Sequence, residues 1–311
     1  MRRRGNVAAV ARSRVLVLLA LAMMAVAGCG SGDGGTRVGG TGTVSTATSP
    51  PGGASAAGGP CARGAAAPPT RLRAGGLDTI LRVPASARGH RAPLVVALHF
   101  ASGTGAEMER TSRLTAEARR SGFVVAYPSA SRNHFWDVGA DYGRLTRALD
   151  ELQATACIDP ARVYVAGISN GGFMATVLAC QMADRVAAAA LFAPGISGTG
   201  DCAPARPISI LEVHGTADRV VPYRSDSPGQ DVPAFLAGWA RRNGCATTSR
   251  SERVTAALTR FSWPGCREGA EVEHLRLTGG RHIELLPDLR AAGVDPAHEA
   301  WRFLASKSLP G

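Results

Sequence analysis

Residues 163–172 read VYVAGISNGG. A short continuous apolar run enters and a small-residue run, GGFMATVLAC (171–180), leaves. The corner between them is Gly167-Ile168-Ser169-Asn170-Gly171, a G-x-S-x-G. Strand, tight turn, helix is the context in which that pattern has a physical meaning. The glycines permit a sharp turn and close packing of helix on strand, and the serine hydroxyl is thrust above the sheet. A second Gly-Ile-Ser stands at 195–197, but Thr199 replaces the second glycine and GTGDCAPARP follows, which cannot form a helix. Ser169 is therefore the candidate nucleophile and Ser197 is not.

Working outward, further apolar runs read as buried strands: 94–98, 123–127, 187–192, 208–213 and 272–277. They are continuous rather than alternating, as in parallel strands covered on both faces. Helical periodicity is predicted over 106–120, 142–154, 172–180, 232–242 and 297–305. The alternation predicts an α/β fold with a mostly parallel central sheet and helices on both faces. Ligands gather at the carboxyl ends of such strands.

A serine nucleophile needs a base, and the base an orienting acid. Asp218 follows the strand ISILEVHG, and His282 follows VEHLRL, each just past a carboxyl end and in the order Ser, Asp, His. Asp226 and Asp231 lie further from a strand, His298 on a helix and His274 inside a strand. His214 is read as shaping a turn. The first N–H of the helix after Ser169, on Asn170, can donate to an oxyanion. A second donor is expected from the loop His99-Phe100-Ala101-Ser102-Gly103, with His99 a buried structural residue. Phe100 and Trp136 are candidate walls of a substrate pocket.

The chain has 311 residues and a net charge of +11. Five arginines with no acid lie in the first 28 residues, so nearly half of that charge sits outside the folded part. The other arginines are mixed with acids, and nucleic-acid binding is not expected. The basic start and the apolar run 15–28 read as a signal peptide, residues 1–28, ending at Val26-Ala27-Gly28-Cys29. That end resembles a bacterial lipobox, which implies lipidation at Cys29 and attachment to the outer face of a membrane. Residues 29–60 are Gly/Ser/Thr/Pro-rich and read as a tether. The folded domain is expected over 61–311. Its six cysteines predict disulfides. Cys245 with Cys266 is the expected bridge, and the pairing of Cys61, Cys157, Cys180 and Cys202 stays open. No spacing of His and Cys suggests a metal, and no cofactor is expected.

PLVVALH, DPARVYVAGISNGGFMA, HGTADRVVPY, NGC and GG-x-H resemble the exported polyhydroxybutyrate-depolymerase/feruloyl-esterase-like α/β-hydrolases, including LpqC-type lipoprotein esterases. The resemblance runs from about Arg71 to the end. It implies ester hydrolysis through Ser169, Asp218 and His282, with the N–H of Ala101 as an oxyanion donor. Two departures stand out. His99 is followed by Phe100 where the family has glycine, which should narrow the acyl pocket. His282 is preceded by Arg281 and followed by Ile283-Glu284 rather than Thr-Trp, and a cation there should lower the pKa of the base. The alternative is a cell-envelope binding lipoprotein that keeps the fold without catalysis; a peptidase on the same scaffold has no supporting signal.

Overall fold

The computed structural model describes residues 61–62, 67–196, 202–227 and 231–310. The 1–28 segment, Cys29, the whole of the 29–60 tether and Ser197 lie outside the described residues. The chain forms one ten-stranded sheet: β1 (Arg71–Ala74), β2 (Leu77–Arg82), β3 (Ala92–Leu98), β4 (Val124–Pro128), β5 (Ile158–Ile168), β6 (Ala188–Phe192), β7 (Ser209–Gly215), β8 (Arg250–Arg253), β9 (Leu258–Trp263) and β10 (Val272–Leu277). The order across the sheet is β1-β2-β4-β3-β5-β6-β7-β10-β9-β8. The six central strands from β4 to β10 are mutually parallel, and the two strands at each edge pair antiparallel. All seven residues of β3 and of β7 are buried, which is why they read as unbroken apolar runs.

Helices cover both faces. α3 (Val138–Thr155), α4 (Asn170–Gln181) and α5 (Val232–Arg242) pack around one core with Leu145, Met174 and Trp239. α1 (Gly105–Ser112), α2 (Leu114–Ser121), α6 (Leu285–Ala291) and α7 (Pro296–Ala305) enclose the other with Met108, Leu114, Leu286 and Phe303. The helix expected over 106–120 is broken at Arg113, which takes a left-handed φ of 60°. Met108 and Leu114 are six residues apart, and a straight helix would set them about 120° apart around its axis. The break lets both reach the core.

Four strands escape the apolar-run reading. β1 and β2 form a hairpin across Gly75-Gly76, both with positive φ, the combination a two-residue turn of this kind needs. β8 is exposed at all four positions and β9 is mostly half-buried, so neither carries a continuous apolar run. Three disulfides tie the domain: the expected Cys245–Cys266, together with Cys61–Cys157 and Cys180–Cys202. Chain order reverses at β3. It leads to β4 on one side and lies beside β5 on the other, which opens a crevice at their carboxyl ends.

Candidate active site

Ser169 stands in that crevice, between β5 and α4. Its φ of 54° and ψ of −117° are a strained conformation for a residue with a side chain. Three backbone bonds hold it: its N–H donates to Phe192 O (2.9 Å), and its carbonyl accepts from the N–H groups of Phe173 (2.9 Å) and Gly195 (3.1 Å). The flanking glycines are required by contact. A Cβ on Gly171 would overlap the carbonyl oxygens of Leu98 and His99 at the end of β3, and one on Gly167 would overlap Gly171 O. The start of α4 is thus pressed against the strand ends, and the corner cannot relax outward.

Asp218 and His282 reach Ser169 from the loops after β7 and β10, which are bound to each other. Thr216 N–H donates to Leu277 O (2.9 Å), Ala217 N–H to Gly280 O (3.0 Å) and Gly279 N–H to Thr216 Oγ1 (2.9 Å). His282 Nδ1 lies 2.6 Å from Asp218 Oδ2, and His282 Nε2 lies 2.9 Å from Ser169 Oγ. A carboxylate only accepts, so Nδ1 carries the proton and the Nε2 lone pair faces the serine hydroxyl. Asp218 is 5% exposed, and its Oδ1 accepts the N–H groups of Val220 (2.8 Å) and Val221 (2.9 Å). Of the rival residues, Asp231 caps α5, and His298 sits beside Glu117 on the far side of α2.

Behind Asp218 lies a network that the sequence reading did not anticipate. His214, read as a turn residue, is fully buried. Its Nδ1 is 2.8 Å from Glu212 Oε1, and its Nε2 is 2.9 Å from Val221 O and 3.2 Å from Asp218 Oδ2. Every partner is an acceptor, so both ring nitrogens carry protons and His214 is an imidazolium. Burial opposes that charge, but the bonds to Asp218 and Glu212 overcome it and push its pKa up to about 10. Burial likewise works against ionised Glu212 and Asp218, yet His274 and His214 hold the first carboxyl below its ordinary value, and His214 and His282 the second. Glu212 Oε2 is 2.6 Å from His274 Nδ1, and His274 Nε2 lies 3.0 Å from Tyr223 Oη. Glu212, His214 and Asp218 together leave one net negative charge beneath His282. The available signal was a glutamate and a histidine at i and i+2 of an otherwise apolar strand, hence on the same face.

The rim corrects two expectations. Trp136 is not a pocket wall. It is fully buried, its Nε1–H donates to His99 O (2.9 Å), and its ring lies 4.9 Å from that of His99. Asn170 grips its backbone, with Oδ1 accepting Trp136 N–H (2.7 Å) and Nδ2 donating to Trp136 O (3.1 Å). The aromatic ring that faces solvent here is Phe135, 51% exposed. Arg281 is the second correction. Its guanidinium lies 3.1 Å from Asp288 and 3.7 Å from Glu284, so its charge is met by carboxylates on its own loop and on α6. His99 is the buried structural residue expected: Nδ1–H donates to Phe100 O (2.7 Å), Nε2 accepts Ala130 N–H (3.0 Å), and burial holds its pKa down. Phe100 is half-buried, its ring lying over Gly103. Asn170 opens α4 and so has a free first-turn N–H, and Ala101 sits in the loop after β3.

Comparison with known proteins agrees with this fold. A family model for the α/β-hydrolase fold matches residues 99–214. The chain has the α/β-hydrolase fold. This protein is 32% identical over 254 residues to feruloyl esterase B of Piromyces equi, covering 74% of the chain and 45% of that protein. It is 36% identical over 134 residues to poly(3-hydroxyalkanoate) depolymerase C of Paucimonas lemoignei, covering 39% of the chain and 32% of that protein. It thus spans less than half the length of either relative. Among solved structures, the acetyl xylan esterase from Aspergillus awamori superposes with a TM-score of 0.56 at 19% identity, covering 72% of this chain and 98% of that one. That likeness concerns the fold.

Proposed function

We propose that this protein is a serine carboxylic-ester hydrolase whose triad is Ser169, His282 and Asp218. The observation that carries the reading is the continuous hydrogen-bonded chain from Ser169 Oγ through both nitrogens of His282 to Asp218 Oδ2, at 2.9 and 2.6 Å. Ser169 Oγ attacks the ester carbonyl carbon as its proton passes to His282 Nε2. The imidazolium so formed faces the net negative charge held by Asp218, Glu212 and His214. The tetrahedral oxyanion accepts the N–H groups of Asn170 and Ala101. As the C–O bond breaks, His282 returns its proton to the departing alkoxide. Water, deprotonated by His282, then attacks the acyl-enzyme, releasing the acid and restoring Ser169. No step calls for a metal or organic cofactor.

The ester is one whose alcohol part is oligomeric, by analogy with relatives named for acetylxylan and poly(3-hydroxyalkanoate) substrates. Phe100, half-buried in the loop after β3, is the residue set to narrow the acyl pocket. Three disulfides fit an oxidising compartment outside the cytoplasm. Cys29 is the lipid attachment point. The described chain starts at Cys61, bridged to Cys157 at the amino end of β5, the edge opposite Ser169.

Labelling with a fluorophosphonate followed by peptide mapping tests the triad. Modification at Ser169, lost in Ser169→Ala together with ester hydrolysis, is expected. An unlabelled, folded protein would favour the binding-lipoprotein reading. Cys29→Ala should move the protein from the membrane to the soluble fraction.

A further inference from the structure

On the same edge of the sheet, beyond the loop that follows β3, lies an open groove of about 920 Å3, at the upper end of the range that takes small ligands. Its floor is the β1–β2 hairpin, and its walls are the start of α1, residues 129–134 and one side chain of α3. It is lined by Arg71, Arg73, Arg144 and His134 against a single acid, Asp78. Asp78 lies 3.4 Å from Arg73, whose other end donates to Gly76 O. Among the described residues no carboxylate pairs with Arg71 or Arg144, although Arg144 lies only half exposed, against Gly76. Several half-buried arginines elsewhere are paired with carboxylates: Arg82 with Glu109, Arg162 with Asp159, Arg260 with Glu299.

The groove wall is bonded to the loop beside the candidate active site. Ser102 N–H donates to His134 O (2.8 Å), joining the loop after β3 to the groove wall. The same wall segment continues to Trp136, which Asn170 holds next to Ser169. β2, on the groove floor, is three strand spacings or about 14 Å across the sheet from β5, the strand that leads into Ser169. A small ester bound at Ser169 cannot touch it; an extended chain can.

We propose that this groove is a subsite for the alcohol part of the ester, and that it takes a carboxylate-bearing saccharide chain, with Arg71 and Arg144 as its anion-binding forks. Planar guanidinium groups match carboxylates in a bidentate way, and the open shape suits a linear chain rather than a compact ligand. The inference rests on the esterase reading for its connection to Ser169, but binding alone can test it.

Two measurements separate the two. The first is the ratio of kcat/KM for a pair of acetylated oligosaccharides that differ only in one uronate carboxylate. A preference of about fivefold for the acidic member at low salt is expected, falling toward one near 0.5 M NaCl and in Arg71→Glu/Arg144→Glu. Arg71→Gln/Arg144→Gln, which only removes charge, should fall between. The second is titration of the Ser169→Ala protein with trigalacturonate, which should bind in a salt-dependent way that the double variants lose. Hydrolysis with no preference between the paired substrates would overturn the subsite and leave the esterase standing. Trigalacturonate binding without any hydrolysis by the intact enzyme would sink the esterase and leave the groove. Equal binding of a short single-stranded DNA would overturn the carboxylate assignment.

Discussion

His282 lies between two charged regions of opposite character. Below it, Glu212, His214 and Asp218 are fully buried or nearly so, and every polar contact is between 2.6 and 3.2 Å. Beside it, Arg281 is exposed and turned toward Asp288 and Glu284. In sequence Arg281 is the conspicuous charge, because it adjoins the base. In the folded protein it matters least. Water and salt screen an exposed ion pair, while a buried one has no solvent to replace a lost partner. Closeness along the chain is a poor guide to electrostatic influence; burial and geometry decide it.

The largest expected effect checks the frame of the comparison itself. Ser169→Ala should lower kcat on p-nitrophenyl acetate by about 10^4-fold or more, since the serine and its base act as a unit. Next comes the buried side. Glu212→Gln or His214→Gln leaves an uncompensated charge in the interior and should cost about 3–5 kcal/mol in chemical denaturation. A loss near zero would mean the network relaxes or admits water, and the contrast with Arg281 would collapse.

A third prediction sharpens the contrast through pH. His214 has a raised pKa, so its stabilisation is complete below about 6.5 and is lost as pH rises toward about 10. Asp218 and Glu212 have depressed values, so their contribution is present above their ordinary values of 3.8 and 4.5 and is lost as pH falls below them. Denaturation midpoints should therefore decline on both sides of a plateau. In His214→Gln the decline above pH 6.5 should be much shallower. The smallest effect belongs to the exposed side: Arg281→Ala should leave kcat/KM within about twofold and the denaturation midpoint unmoved. A tenfold change would show that Arg281 reaches the base after all.

The elements legible in sequence were those whose residues answer to one local constraint. β3, β6 and β7 lie in the middle of a parallel sheet and need apolar residues on both faces, so they stand out as runs. α5 is bounded by an aspartate cap and Pro233, and its predicted limits coincide with the observed ones. β8 and β9 were invisible because an exposed edge places no such demand on composition. Trp136 was misjudged because an aromatic near a loop reads alike whether it faces the cleft or, as here, supports it from beneath.

Sequence by itself determined the corner at Ser169. Gly167 and Gly171 are dictated by backbone atoms a few residues away and by the strand end next door, so the pattern carries its own geometry. It also determined that Asp218 and His282 follow strands at their carboxyl ends. Only the tertiary structure decided what surrounds them. Glu212 and His214 face the site because β7 and β10 pair in one register, with His274 opposite Glu212. Arg144 lines the same groove as Arg71 because α3 packs against the β1–β2 hairpin, at Gly75 and Gly76. Those contacts join residues tens of positions apart, and their charge states depend on the exclusion of water, which no short stretch of chain encodes.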